Sequence, residues 1–140
     1  MKSSVKKFCA VCLIAAAASV CLRSLSAARI PETDTVLLET DAERETWLNL
    51  HGWRVLPPER TETRIPAVWR TSAGQAWLGL QHAQGFQPEQ FAGENAVRYV
   101  YPVQNTAQPE LYAELLLTAD GILVGAQVYS AETGLMQTVL

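Results

Sequence analysis

The clearest pattern in the chain is a pair of apolar segments on either side of Asp120-Gly121. Asp-Gly between two such segments is a strong signal for a β-hairpin with a two-residue turn. This turn pairs Leu117 with Val124 and thereby fixes which side chains share a face of the sheet. The apolar face then carries Leu115, Leu117, Val124 and Val128, and the opposite face carries Tyr112, Glu114, Gln127 and Tyr129.

Apolar residues spaced three and four apart predict two helices upstream of this hairpin. The first helix begins at Thr40, because Thr40 and Glu43 have the spacing of a capping box. It ends at Gly52, since glycine suits the left-handed conformation just beyond a helix. The second helix is predicted over residues 67–84, and a glycine again follows it.

Alternating positions predict two further strands, over residues 96–103 and 53–65, and Pro57-Pro58 breaks the second into 53–56 and 59–65. The latter is charged and follows Pro57-Pro58, which is typical of an edge strand. We therefore predict an α+β fold in which two helices pack on one face of an antiparallel sheet of about four strands. The three strands after position 95 are expected to be consecutive neighbours, as in a meander.

The first 27 residues follow a different pattern. Three lysines precede an uncharged run of 15 residues, Phe8 to Leu22, and Arg23 and several small residues follow it. A basic start, a short apolar segment and a small-residue exit are typical of an export signal. The run is shorter than the roughly 20 residues that a membrane-spanning helix needs. A helix that continued past Arg23 would instead be an uncleaved anchor, so both alternatives stay open.

This pattern divides the chain into three parts: a signal peptide or membrane anchor over residues 1–27, a linker over 28–38 and a single small α+β domain over 39–140. The orientation rule for basic residues keeps the lysines inside and places the domain outside. The domain is therefore expected to be exported, either secreted or held at the extracellular face of the membrane. Only the N-terminal segment is expected to contact the bilayer.

Charge and cysteine content restrict what the exported part can bind. All fourteen acidic residues but only seven of the eleven basic residues follow position 27, so this part carries a net charge of −7. An acidic domain is not expected to bind nucleic acid. All three cysteines precede position 27, so the exported domain is expected to have neither a disulfide nor thiolate chemistry.

Few residues have the spacing of a catalytic or metal site. His51 and His82 each fall near the C-terminal end of a predicted helix, where the helix dipole favours a partly charged imidazole. No His-Glu-x-x-His or Gly-x-Ser-x-Gly motif occurs. We predict no catalytic residue, no metal ligand and no cofactor. The alternative is a small hydrolase or metal-dependent enzyme that uses both histidines and nearby carboxylates.

Taken in order, the motifs resemble the bacterial domain-of-unknown-function family 4830. The resemblance rests on ETDAERETWLNLHGW from Glu39, Arg64-Ile65-Pro66, LQHAQGF from Leu80, VRYVY from Val97 and the hairpin around Asp120-Gly121. It covers residues 39–140 and implies a signal or membrane segment followed by one small domain. The family implies no known activity, substrate or site residue.

These observations favour a non-catalytic binding or interaction module outside the cytoplasm. The export pattern, the small size of the domain and the missing catalytic motifs all support it. The expected partner is a protein or another component of the cell envelope. Where the hairpin carries a binding surface, that surface is expected on the polar face: Tyr112, Glu114, Gln127 and Tyr129.

Overall fold

A computed structural model of the protein describes residues 34–140. The predicted export segment and most of the predicted linker lie outside the described residues. In chain order the elements are α1 (Asp41–Leu50), β1 (Glu59–Arg64), α2 (Ser72–Ala83), a short 3-10 helix (Pro88–Phe91), β2 (Asn95–Pro102), β3 (Leu111–Thr118), β4 (Leu123–Ser130) and β5 (Met136–Gln137). Within this part of the chain, no helix is long and apolar enough to cross a bilayer.

The strands of the described region form one antiparallel sheet in the order β1-β2-β3-β4-β5. The predicted α+β class, the meander and the edge position of β1 are confirmed. Every residue of β1 is exposed, and its charged side chains protect this edge against pairing with another chain. The two-residue strand β5 was not predicted, and it adds a fifth strand beside β4.

The first helix begins and ends as predicted. At its start the Thr40 hydroxyl accepts a hydrogen bond from the Glu43 amide at 3.2 Å, and the Glu43 carboxylate accepts one from the Thr40 amide at 2.8 Å. At its end Gly52 has a φ of +91°, and the Trp53 amide donates to the Leu48 carbonyl at 3.0 Å. This Schellman motif turns the chain back, so that Trp53 packs against the buried core.

The second helix is shorter than predicted, because it begins at Ser72 rather than at residue 67. The Thr71 hydroxyl accepts a hydrogen bond from the Gly74 amide at 3.0 Å and caps the helix at this point. A hydroxyl that satisfies a free N–H of the first turn fixes where a helix starts. The helix ends one residue before the predicted position, and its C-terminal cap is Gln84.

The turn of the central hairpin has three residues rather than the two predicted. The Gly121 amide donates to the Thr118 carbonyl at 3.0 Å, and the Thr118 amide donates to the Ile122 carbonyl at 2.9 Å. With a φ of +86° at Gly121, this is a type I turn followed by a left-handed residue. Leu117 consequently pairs with Leu123, so the predicted pairing with Val124 is wrong.

A β-bulge then restores the predicted register. Leu116 pairs with Gly125, so that Val124 has no partner on β3. The extra residue in the bulge offsets the extra residue in the turn. The predicted pairs farther from the turn are confirmed: Leu115 with Ala126, Glu114 with Gln127, Ala113 with Val128 and Tyr112 with Tyr129.

The two helices pack on opposite faces of the sheet, so the prediction that both cover one face is wrong. Leu48 of α1 lies in a buried cluster with Leu115 and Leu117 of β3. The residue between them, Leu116, belongs to a second buried cluster, against which Trp77 of α2 packs. Successive side chains of a strand point to opposite faces. A continuous apolar run such as this one is typical of a strand that is covered on both faces.

The helix α2 lies so close to β4 that the contact requires a glycine. A Cβ atom added to Gly125 would lie 3.0 Å from Cζ2 of Trp77 and 3.0 Å from Oε1 of Gln81. At the neighbouring residue, Gln81 Oε1 accepts a hydrogen bond from the Ala126 amide and Gln84 Nε2 donates to the Ala126 carbonyl, both at 2.8 Å. These two side chains therefore bond to backbone groups of β4 at a position where β5 does not pair with it.

Candidate functional site

The structure brings the four residues of the predicted binding face together. Tyr112 lies directly opposite Tyr129, and Glu114 lies directly opposite Gln127. All four point away from the cluster around Leu48, since they alternate with its members along β3 and β4. We call this surface the Tyr–Glu face. Helix α2 packs on the other end of the same side of the sheet.

The tyrosines form a stacked pair at one end of the Tyr–Glu face. Their ring centroids are 5.6 Å apart and the ring planes differ by 26°, a geometry that contributes beyond simple burial. Pro102 pairs with Tyr112 on one side, and Met136 pairs with Tyr129 on the other. Both tyrosines stay partly exposed, and so a strip of apolar and aromatic surface crosses β2 to β5.

A polar row lies beside this strip. Glu114 is mostly buried, with 14% of its side chain exposed, and the nearest cation is Arg98, whose Nη1 lies 4.0 Å from Glu114 Oε2. Burial raises the pKa of the Glu114 carboxyl, and Arg98 and the side-chain amide of Gln127 offset only part of this. Burial and the Glu114 charge together raise the pKa of Tyr129. The carboxylate is therefore incompletely compensated.

The side chain of Gln127 contains a hydrogen-bond acceptor that no donor reaches. The residue is 8% exposed, and its Oε1 atom is buried with no hydrogen-bond partner. A buried acceptor left unsatisfied costs about 1–3 kcal/mol. Of the two polar groups in this row, the Glu114 carboxyl accepts from the Gln127 amide, whereas Gln127 Oε1 has no donor.

We expect Glu114→Gln to raise the melting temperature at pH 7. Because the pKa of Glu114 is raised in the folded state, the native protein binds more protons than the unfolded chain in the pH range between the two pKa values. Stability therefore falls as the pH rises from the ordinary glutamate pKa through the raised one. The amide variant lacks this cost, so its advantage is present at pH 7 and disappears at pH 3.5. Thermal unfolding at the two pH values checks this.

The matched control for this prediction is Glu94→Gln, which neutralises an exposed glutamate. Exposed substitutions of this kind usually change stability by less than about 0.5 kcal/mol. A lower melting temperature for Glu114→Gln at pH 7 would contradict the prediction, because it would mean that the Arg98 contact outweighs the burial of the carboxylate.

The two histidines are not brought into a common site. His51 Nδ1 lies 2.7 Å from the Trp47 carbonyl oxygen, and its ring packs on the Trp47 indole. His82 Nε2 lies 2.6 Å from Glu89 Oε1. His51 is the C-terminal cap of α1 and His82 lies in α2, and these two helices cover opposite faces of the sheet. Within residues 34–140, no three histidine, cysteine, aspartate or glutamate side chains are grouped closely enough to hold a metal ion.

Sequence reasoning missed Arg44, the buried charge of α1. It is 4% exposed, its Nε donates to the Tyr101 hydroxyl at 3.2 Å, and its Nη1 donates to the Leu38 and Glu39 carbonyls at 3.1 and 3.2 Å. Its guanidinium carbon lies 4.0 Å from the centroid of the Tyr99 ring. The sequence indicates that position 44 faces the core, because Trp47 and Leu48 follow it at three- and four-residue spacing on the same face of the helix.

The four tryptophans pack against the two buried clusters, two on each face of the sheet. They therefore contribute to the core, and the Tyr–Glu face contains none of them. No family model, curated protein or solved structure matches the chain. The resemblance to family 4830 thus stays a prediction.

Proposed function

We propose that this protein is a non-catalytic, extracytoplasmic interaction module that binds a protein partner through the Tyr–Glu face. The observation that supports this most directly is a partly exposed, stacked tyrosine pair beside a glutamate whose nearest cation lies 4.0 Å away. Aromatic side chains that are anchored in a sheet offer contact area at little cost in conformational entropy. Tyrosine is also one of the residues that contribute most to binding energy at protein interfaces.

The surrounding residues fit the anatomy of an interface. Pro102 and Met136 extend the apolar strip on both sides of the tyrosines, and Met136 is 39% exposed. Glu59 and Arg98 lie on the side of the polar row that faces β1 and β2, and both are exposed. An apolar centre with a polar rim is the usual arrangement of a protein-binding surface.

The proposal places the domain outside the cytoplasm, as a secreted or membrane-tethered protein of the family 4830 type. It rests on the basic and apolar pattern of the first 27 residues. Mass spectrometry of the N-terminus of the protein isolated from cells distinguishes a cleaved signal from an anchor: the mature chain begins near position 28 in the first case and at its original start in the second.

Photo-crosslinking in intact cells tests the interaction. Tyr129 is replaced by p-benzoylphenylalanine, and the matched control carries the same residue in place of exposed Glu94. We expect a discrete adduct from position 129 and none from position 94. The adduct should weaken when Glu114→Gln is added to the position-129 chain, because the partner then loses a charged contact.

Two results would overturn the proposal. Identical adducts from both positions would show non-specific contact rather than a binding face. The absence of an adduct from position 129, in cells that produce a folded chain, would show that this face is not engaged. An adduct that is unaffected by Glu114→Gln would remove the polar row from the interface.

A further inference from the structure

The outer edge of the sheet at β1 is open among the described residues. Within residues 34–140, β1 pairs with β2 alone, and each of its residues from Glu59 to Arg64 is exposed. The open edge of a sheet presents a row of N–H and C=O groups that can pair with a further strand. This edge is distinct from the Tyr–Glu face, so what it pairs with is a separate question from the proposed function.

The hydrogen bonds at the end of β1 show which of its residues face outwards. The Ile65 amide donates to the Glu94 carbonyl at 2.9 Å, and the Ile65 carbonyl accepts from the Gly93 amide at 2.9 Å. In an antiparallel ladder, residues that bond to a given neighbouring strand alternate with residues that do not. The even-numbered residues of β1 therefore direct their backbone groups away from β2: Arg60, Glu62 and Arg64.

These three outward residues alternate in charge, and the alternation makes β1 complementary to a second copy of itself. In a two-fold antiparallel pair, outward residues of one copy lie opposite outward residues of the other. With Thr61 on the axis, Arg60 lies opposite Glu62 of the other copy, twice by symmetry. With Glu62 on the axis, glutamate lies opposite glutamate and Arg60 opposite Arg64. Like charges directly opposite each other destabilise a sheet, so the Glu62 register is disfavoured.

A third register has Thr63 on the axis and places Glu62 opposite Arg64. Its paired segment runs over residues 61–65 and so extends beyond the end of β1 at Arg64. The paired segment of the Thr61 register runs over residues 59–63, all of which lie within β1. The geometry of the strand therefore favours the axis at Thr61.

We propose that β1 pairs with β1 of a second copy of this chain, antiparallel about a two-fold axis at Thr61. The product is a continuous sheet of ten strands, five from each copy. Arg60 Nη1 and Glu62 Oε1 lie 3.3 Å apart within one copy, and pairing places two such ion pairs side by side with opposite charges facing. The charges that protect this edge against an arbitrary strand are thus offset by a copy of the same strand.

The dimer has a consequence for the Tyr–Glu face. A two-fold axis that relates two strands of one sheet is perpendicular to that sheet, so each face of the sheet stays on its own side. The Tyr–Glu faces of the two copies therefore point in the same direction. A partner that carries two matching surfaces would bind the second face at a raised effective concentration.

The test is sedimentation velocity of the purified full-length chain in a mild detergent, at increasing protein concentration. We expect a monomer–dimer equilibrium. Arg60→Glu and Glu62→Arg each turn both facing pairs into like charges, so each variant should weaken dimerisation at least about tenfold. Glu132→Arg is the matched control, because it reverses an exposed charge outside β1, and it should leave the equilibrium unchanged.

Two combinations separate charge recognition from damage to the fold. An equimolar mixture of the Arg60→Glu and Glu62→Arg chains should form a heterodimer, because one chain is then acidic at positions 60 and 62 and the other is basic at both. The double variant Arg60→Glu/Glu62→Arg should also dimerise, since exchanging the two charges preserves their complementarity about Thr61. With the axis at Thr63, the double variant would instead set arginine opposite Arg64 and stay monomeric.

A chain that stays monomeric up to about 1 mM would overturn the proposal, because even a weak contact is populated at that concentration. Dimerisation that neither single variant weakens would overturn it as well, since the contact would then lie outside β1. A mixture of the two single variants that stays monomeric would show that facing charges do not control the association. If Glu62→Arg weakens the dimer and Arg60→Glu does not, the axis at Thr61 is wrong.

Discussion

Replacement of Arg44 by methionine is expected to lower the free energy of unfolding by about 3 kcal/mol. Methionine fills a similar volume but offers no donor. The Tyr101 hydroxyl and the Leu38 carbonyl, which receive hydrogen bonds from Arg44, would then be left without them. Each buried polar group that loses its partner costs about 1–3 kcal/mol. The loss of the Tyr99 contact adds to this.

The loss of the ion pair is not expected to dominate this effect. Arg44 also contacts Asp41, but the aspartate side chain is 85% exposed, so water solvates it once the arginine is gone. Arg60→Met is a suitable control, because Arg60 forms an exposed pair with Glu62 at 3.3 Å. Exposed pairs contribute about 0–1 kcal/mol.

Urea denaturation of Arg44→Met, Arg44→Lys, Arg60→Met and the parent chain checks the prediction. Arg44→Lys should lie between parent and methionine variant, since an ammonium group supplies fewer donors in a fixed geometry. Similar stability of Arg44→Met and Arg60→Met would contradict it. That result would mean that an apolar side chain replaces the buried guanidinium at no net cost, because the desolvation of the charge offsets its hydrogen bonds.

The sequence predicts those parts of the fold that depend on local signals. The capping box at Thr40 and the stop at Gly52 depend only on neighbouring residues, and both are confirmed. Pairing in the hairpin is predictable from Leu115 outward, because a one-residue slip would turn every side chain to the other face. These features depend on nearby residues alone and not on which elements pack against either face of the sheet.

The placement of the helices depends on distant contacts and was predicted incorrectly. The run Leu115–Leu117 indicates burial on both faces, but the alternation of its flanking residues favours a single apolar face. The turn was ambiguous for a related reason. Asp-Gly suits a two-residue turn and also the last positions of a three-residue turn, so Val124 could be assigned to either face.

The candidate site follows from the register more directly than from any motif. Tyr112, Glu114, Gln127 and Tyr129 share a face because their positions alternate in two paired strands. The contributions of Pro102 and Met136 are not visible in the sequence, because they depend on how β2 and β5 align with the hairpin. The unpartnered oxygen of Gln127 is likewise a property of the packed structure and has no local signature.

The C-terminal residues join both helices to the sheet. Val139 is 3% exposed and lies in the cluster that contains Leu48. Its carbonyl accepts a hydrogen bond from Trp53 Nε1 at 3.0 Å, and its amide donates to Gln84 Oε1 at 2.8 Å. Trp53 follows α1 and Gln84 caps α2. One residue of the tail therefore contacts the ends of two helices that lie on different faces.

Removal of residues 136–140 is expected to lower the free energy of unfolding by about 3–5 kcal/mol. Burial of a valine side chain contributes about 1.5–3 kcal/mol, and each of the two hydrogen bonds contributes about 0.5–1.5 kcal/mol. The pairing of β5 with Val128 and Tyr129 is lost as well. Urea denaturation of the truncated chain gives the total effect.

Two variants divide this effect into its parts. Val139→Ala keeps the backbone hydrogen bonds and should lose about 1.5 kcal/mol, since roughly 0.8 kcal/mol is lost for each buried methyl or methylene group. Removal of Leu140 alone should change little, because that residue is 55% exposed. If truncation after position 135 costs no more than Val139→Ala, the backbone contacts of the tail are not stabilising. Hydrogen exchange provides a second measurement. We expect loss of the tail to speed exchange at the Trp53 indole and along β4, because the hydrogen bonds of the tail protect both.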